Sequence, residues 1–204
     1  VDDLFTGRPA PGAIEIPIDL QYTEAQAFTL RPPSTDRVEP SEAEIQAAAA
    51  CLSASRRRII IAGGGVIAAG AGPALQALAE KLDCPVLTTV DGRGALPETH
   101  PNCIGNYYNS AGMYQSLAKA DVTLAIGTRF AVGVDGQFQH QTPPGSLIQI
   151  DIEGPMIGRT HAAQYPVLGD ALAAIEALSA AIPDAEANDD QFNQTVWEAR
   201  DGLR

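Results

Sequence analysis

Glycines that close apolar runs are the residues of this sequence best placed to do chemistry. The run Ile59-Ile60-Ile61-Ala62 passes directly into Gly63-Gly64-Gly65. Glycine lets a backbone approach a phosphate, and a helix beginning there offers unpaired N–H groups. The same run also reads as a plain strand-to-helix turn. It is not a strict GxGxxG fingerprint, lacks the Lys-Ser/Thr of a P-loop, and the following strand ends in Thr88-Thr89-Val90 without the expected acid. A standard NAD site is therefore disfavoured. Further polar loops end later apolar runs: Thr88-Thr89-Val90-Asp91-Gly92, Gly127-Thr128-Arg129-Phe130, Asp151-Ile152-Glu153 and Gly169-Asp170. Gathered at one sheet edge they form a crevice for a nucleotide, with Arg129 as counter-charge and a carboxylate for a ribose hydroxyl. Taken singly, each reads as a cap or a turn.

A reaction centre is harder to find. His100, His140 and His161 are scattered, and there is no Gly-x-Ser-x-Gly elbow, HExxH or His-x-His pair. No carboxylate has a recognisable partner for acid–base work, so neither a catalytic residue nor a metal ligand is assigned. Cys51, Cys84 and Cys103 are odd in number and far apart, and read as buried, reduced thiols of a cytoplasmic protein.

The elements that must position these loops follow from the apolar pattern. Residues 59–62, 85–88, 122–126, 146–150 and 166–168 read as strands without alternation, the mark of a parallel sheet covered on both faces. Helical patterns fill 71–82, 112–120 and 171–182, and Ser41 with Glu44 forms a capping box ahead of a helix over 45–54. Arg56-Arg57-Arg58 closes that helix, where cations suit its C-terminal dipole. The expected fold is α/β, doubly wound and Rossmann-like, with helices on both faces. Ahead of it, residues 13–18 alternate like an edge or terminal strand containing Pro17, and 28–40 reads as a polar linker with Pro32, Pro33 and Pro40. Residues 183–190 are acidic and read as a second linker, before an amphipathic start at Phe192 and Trp197.

Composition narrows the class. The chain has 204 residues, 45% of them hydrophobic, and a formal net charge of −12. That is enough for one good core, and without a basic run it argues against nucleic acid or an anionic membrane as partner. No apolar stretch is long enough for a membrane span, and residues 1–8 do not read as a signal peptide.

In order, five motifs resemble the middle of thiamine-diphosphate-dependent enzymes of the acetolactate synthase type. They are the run from Gly7 to Asp19, Ile61-Ala62-Gly63-Gly64-Gly65-Val66, the run from Pro85 to Pro101, the run from Ala120 to Phe130, and Ile148-Gln149-Ile150-Asp151-Ile152-Glu153. The resemblance implies a central domain with a six-stranded parallel sheet over 41–182. Residues 1–20 would be the last strand of a first, pyrimidine-binding domain and 21–40 a linker. Residues 183–204 would lead toward a third, diphosphate-binding domain. Thiamine diphosphate and Mg2+ would belong to the full-length enzyme, a homo-oligomer acting on a 2-keto acid, and this piece alone would be inactive. Gly169-Asp170-Ala171 breaks the Gly-Asp-Gly triplet that the family's third domain uses for the metal.

The resemblance also implies a nucleotide position, with FAD in some members, ADP in others and nothing in the rest. Gly64 and Gly65 would approach the pyrophosphate, Gly127 and Arg129 would flank the phosphates, and Thr89 and Val90 would lie along the flavin end. Asp151 and Ile152 would meet the adenosine, and Asp170 and Ala171 the adenine rim. Two departures leave FAD, ADP and no nucleotide all open: Asn106-Tyr107-Tyr108-Asn109 stands where FAD-binding members have Gly-Met-His-Gly, and Ala131-Val132 where they have two acids. The other reading is a self-sufficient nucleotide-binding or regulatory module of the same fold.

Overall fold

A strand needs a neighbour for its amides, and the first segment shows what happens without one. The computed structural model describes residues 7–8, 11–27, 29, 37–106, 110–130, 142–183 and 185–203, and divides the chain into two units, 1–37 and 38–204. In the first unit the strand expected over 13–18 does not form. Residues 11–17 join no ladder, and Ile18–Gln21 wind a single helical turn (α1) behind Pro17. Ile14, Ile16, Ile18 and Leu20 are exposed, because no other strand is found among the described residues of this unit. Pro32 and Pro33 lie outside the described residues.

The second unit opens with α2 (Glu42–Ala54), where the Ser41 hydroxyl accepts from the Glu44 amide at 3.3 Å. Only half of the capping box forms: the Glu44 carboxylate instead accepts from the amide of Leu168, at 3.4 Å. Strand β1 (Arg58–Ala62) follows, then α3 (Gly64–Ala68), α4 (Gly72–Leu82), β2 (Val86–Thr88), β3 (Cys103–Gly105), α5 (Ala111–Leu117), β4 (Val122–Ile126), β5 (Ser146–Asp151), β6 (Tyr165–Leu168), α6 (Ala171–Ala181) and α7 (Asp190–Asp201). The sheet is wholly parallel, in the order β3-β2-β1-β4-β5-β6, with Ile60 opposite Val86 and Leu124, and Leu124 opposite Ile148. This is the doubly wound, six-stranded α/β arrangement expected. Pro166 stands in the edge strand β6, where a missing donor costs no ladder bond.

Strand β1 shows why alternation is absent. Ile60 and Ala62 pack in one core cluster with Leu52 of α2, Leu75 and Leu78 of α4 and Ile175 and Leu178 of α6. Ile59 packs in another with Leu87, Ile104, Met113 and Leu117 of α5, and Phe192 and Val196 of α7. Both faces of the strand are apolar because both are covered.

Helix α7 forms at the amphipathic start expected at Phe192 and Trp197, and it packs on this unit, whereas the resemblance had residues 183–204 only leading away toward a third domain. Its buried side chains complete the second cluster, and a polar network fastens the segment leading into it. Asn188 Oδ1 accepts from the Arg58 amide at 3.1 Å and from Arg58 Nη1 at 3.2 Å, while Asn188 Nδ2 donates to Arg58 O at 2.9 Å and to Asn193 Oδ1 at 3.1 Å. Asn193 Nδ2 donates to Asp83 O at 2.6 Å, and Arg200 Nη1 to Pro101 O at 2.9 Å. Arg58, expected beyond a helix end, is buried in β1, yet its Nε still donates to Leu52 O of α2 at 2.7 Å. Burial pulls its guanidinium below the usual arginine range.

Candidate functional site

The order of the strands reverses direction of winding between β1 and β4, and there the loops after both strands meet. The amide of Gly63 donates to Ile126 O at 2.8 Å and that of Gly65 to Gly127 O at 3.0 Å, while Gly127 N donates to Ile150 O at 2.9 Å. A methyl group at Gly63 would stand 2.2 Å from Gly127 O, and one at Gly65 2.6 Å from Gly127 Cα. Gly127 itself has φ +60°. The glycines are required first by this backbone-on-backbone contact.

All ten nucleotide-site residues expected from the sequence lie at or just past the carboxyl ends of β1, β2, β4, β5 and β6. Gly64 is half-buried, with its Cβ position 3.1 Å from Asp91 Cβ. Thr89 donates its amide to Ala62 O at 2.9 Å, its hydroxyl accepts from Gly92 N at 3.1 Å, and the Val90 side chain beside it is exposed. Asp151 is buried and its Oδ1 accepts from Glu153 N at 3.0 Å, with Ile152 half-buried between them. Asp170 caps α6, its Oδ1 accepting from Leu172 N at 3.0 Å and Ala173 N at 3.2 Å. The Ala171 methyl belongs to the core cluster. Tyr107, Tyr108, Asn109, Ala131, Val132 and His140 lie outside the described residues.

Arg129 is exposed, while its neighbours on both sides are buried. The Thr128 hydroxyl accepts from Phe130 N at 3.2 Å, Phe130 adopts φ +50°, and its ring meets that of His161 edge-on at 5.1 Å. Left-handed backbone is costly for an aromatic residue and persists only where its surroundings impose it. The carbonyl of Arg129 accepts from the Thr160 hydroxyl at 3.0 Å.

Several residues that shape this edge gave no warning in the sequence as read. Gln149 is buried in β5 and bonds the loops after both β4 and β5. Asn106, with its amide turned to suit both neighbours, donates to Thr88 O at 3.0 Å and accepts from Arg93 Nη2 at 3.1 Å. A polar residue inside an apolar strand is the signal that could have revealed Gln149; nothing local marks the Arg93–Asn106 pair.

The remaining candidates for chemistry have structural partners. His100 Nε2 lies 2.9 Å from Glu80 Oε1 and its Nδ1 accepts from Asn102 N at 3.2 Å, which holds Glu80 below the ordinary glutamate range. No disulfide joins the three cysteines; Cys84 and Cys103 are buried as expected, but Cys51 is only half-buried. Burial pushes the Cys84 thiol up to about 12. Among the described residues no three His, Cys, Asp or Glu side chains are grouped to hold a metal ion, and no helix is long and apolar enough to cross a membrane.

Comparison with known proteins gives these loops a context. Residues 45–178 match the family model described as the thiamine pyrophosphate enzyme central domain. A probable acetolactate synthase large subunit of Methanocaldococcus jannaschii is 34% identical over 193 residues, covering 90% of this chain and 33% of that protein. An acetolactate synthase of Mycobacterium leprae is 30% identical over 207 residues, with 98% and 33% covered. A solved structure from Mycobacterium smegmatis, assigned as a thiamin diphosphate-dependent enzyme, superposes with TM-score 0.62 at 26% identity, over 79% of this chain and 31% of the other. The chain thus spans about a third of the length of the curated relatives it matches.

Proposed function

Because the chain belongs to the family of thiamine pyrophosphate enzyme central domains, we propose that it is the central, non-catalytic piece of an acetolactate synthase-like carboligase or decarboxylase. That enzyme acts on a 2-keto acid in the cytoplasm as a homo-oligomer, and its other two domains are this unit's partners. Thiamine diphosphate, held through Mg2+, supplies the carbon–carbon bond chemistry when bound. This unit's residues do not fit that group: the Asp170 carboxylate is engaged on the amides of Leu172 and Ala173. The central domain runs from residue 38 through α7, since Phe192 and Val196 belong to its core. Residues 1–20 belong to the domain before it.

The edge crevice takes the adenosine diphosphate moiety that FAD and ADP share. The observation that carries this reading is the exposed Arg129 guanidinium at the point where the winding reverses, without a partner among the described residues. Arg129 would pair with the diphosphate, the Asp151 carboxylate would accept from a ribose hydroxyl, and Val90 and Ile152 would give apolar flanks. At the β2–β3 end the Arg93–Asn106 pair offers a polar surface. Absorbance of the purified chain between 300 and 550 nm, then melting with FAD and with ADP, tests the reading. A nucleotide at a hundred times its Kd adds about 2.7 kcal/mol, about 8 °C for a chain of this size. A shift with FAD alone assigns the flavin form, and a shift with both assigns the ADP moiety itself. No shift with either refutes the crevice reading, and turnover of pyruvate by the isolated chain with thiamine diphosphate and Mg2+ refutes the non-catalytic one.

A further inference from the structure

Gln149 breaks an otherwise apolar stretch of β5, between Ile148 and Ile150, and is 1% exposed. It stands opposite Ala125 of β4 and Pro166 of β6, beneath the carboxyl edge. A buried amide must be bonded, and this one spends its bonds on loops and not on the sheet. Nε2 donates to Thr128 O at 3.1 Å and to Met156 O at 3.4 Å, while Oε1 accepts from Gly158 N at 2.8 Å. One side chain therefore joins the loop after β4 to the loop after β5.

Two further contacts run between the same loops. The Thr160 hydroxyl donates to Arg129 O, and the His161 ring meets Phe130. Residues 128, 129 and 130 are thus each held from the β5–β6 side, Phe130 in a left-handed conformation. The held parts are two carbonyls and one ring. The Arg129 side chain is the part left exposed.

Resting on the crevice reading above, we infer that Gln149 is a positioning residue: through the Thr128 carbonyl it fixes the turn that presents Arg129 to an adenosine diphosphate ligand, and it couples that turn to residues 154–161. The residue touches no ligand itself. Its effect on binding passes through the geometry of the turn, so binding and stability can be separated.

Hydrogen exchange of the 204-residue chain, with ADP titration, tests this in Gln149→Met, which keeps the volume, and in Thr160→Val, an exposed site whose change leaves the fold alone. Gln149→Met should speed exchange at Gly158 and Phe130 about tenfold or more while the amides of β1 and β4 keep their protection. Both variants should weaken ADP about tenfold, Thr160→Val with an unchanged melting temperature. Unchanged exchange at Gly158 and Phe130 in Gln149→Met overturns the inference, as does unaltered ADP affinity in both variants when the parent chain binds. If the parent chain binds neither ADP nor FAD, the proposed function fails, and the exchange result decides the role of Gln149 by itself.

Discussion

Replacing Asn188 by alanine should detach α7 at a cost that can be worked out bond by bond. The side chain is 2% exposed and makes four hydrogen bonds. Without it, the amide and carbonyl of Arg58 and the Oδ1 of Asn193 lose these partners in a buried setting. Arg58 Nη1 retains Glu186 O at 2.9 Å. Each stranded buried group costs about 1–3 kcal/mol, and admitted water relieves part of it, so the loss is about 4 kcal/mol. With a urea slope of about 2 kcal/mol per molar, the midpoint should fall by about 2 M. The only tryptophan, Trp197, lies in α7 against the cluster that holds Phe192 and Val196, so its fluorescence reports on docking of this helix. Far-UV circular dichroism followed in the same titration reports the whole unit. Gln194→Ala, on the exposed side of the same helix, should change the midpoint by under about 0.5 kcal/mol equivalent. A loss in Asn188→Ala no larger than in Gln194→Ala refutes the reasoning, for α7 would then be held without help from the Asn188 bonds.

Two other perturbations address the frame. Gly127→Ala combines a positive φ with a Cβ 2.6 Å from Gly65 Cα, and should destabilise by about 3 kcal/mol or more, against about 1 kcal/mol for Gly64→Ala, in thermal melts of both. Asp121 accepts from Arg57 Nε at 3.1 Å and from the Arg57 and Arg56 amides, and the Arg57 guanidinium holds its carboxyl below the usual aspartate range. A depressed carboxyl stabilises the fold above its unfolded pKa and loses that contribution as the pH falls through the folded one. The stability advantage over Asp121→Asn, measured by denaturant titration, should thus be full at neutral pH and shrink below about pH 4. An advantage that does not change between pH 7 and pH 2 contradicts this.

What could be read from the sequence was local. β1 carries the apolar run 59–62 behind Arg58, β4 is apolar but for Thr123, and α2 and α6 carry their own caps at Ser41 and Asp170. The β3 strand escaped because Cys103, Ile104 and Gly105 are too few to show a period. The amphipathic start of α7 was legible at Phe192 and Trp197, but its docking was not, because Asn188 and Asn193 are polar residues whose partners, Arg58 and Asp83, lie more than a hundred positions away. The strand-end loops were legible through their glycines. Gln149 stood out only as a polar residue inside an apolar run, and its partners were not legible, since the packed topology alone brings residues 128, 149 and 158 together. The expected strand at 13–18 shows the converse, an alternation with no sheet among the described residues of its own unit to join.

Equilibrium dialysis of ADP and of FAD against the parent chain and Arg129→Gln tests the central claim most directly. A charge-assisted pair to a diphosphate contributes about 1.5–3 kcal/mol, so one equivalent should bind the parent and bind the variant about tenfold to a hundredfold more weakly, with the melting temperature unchanged. Absence of saturable binding, or equal affinity in parent and variant, would contradict a nucleotide site at this edge of the sheet.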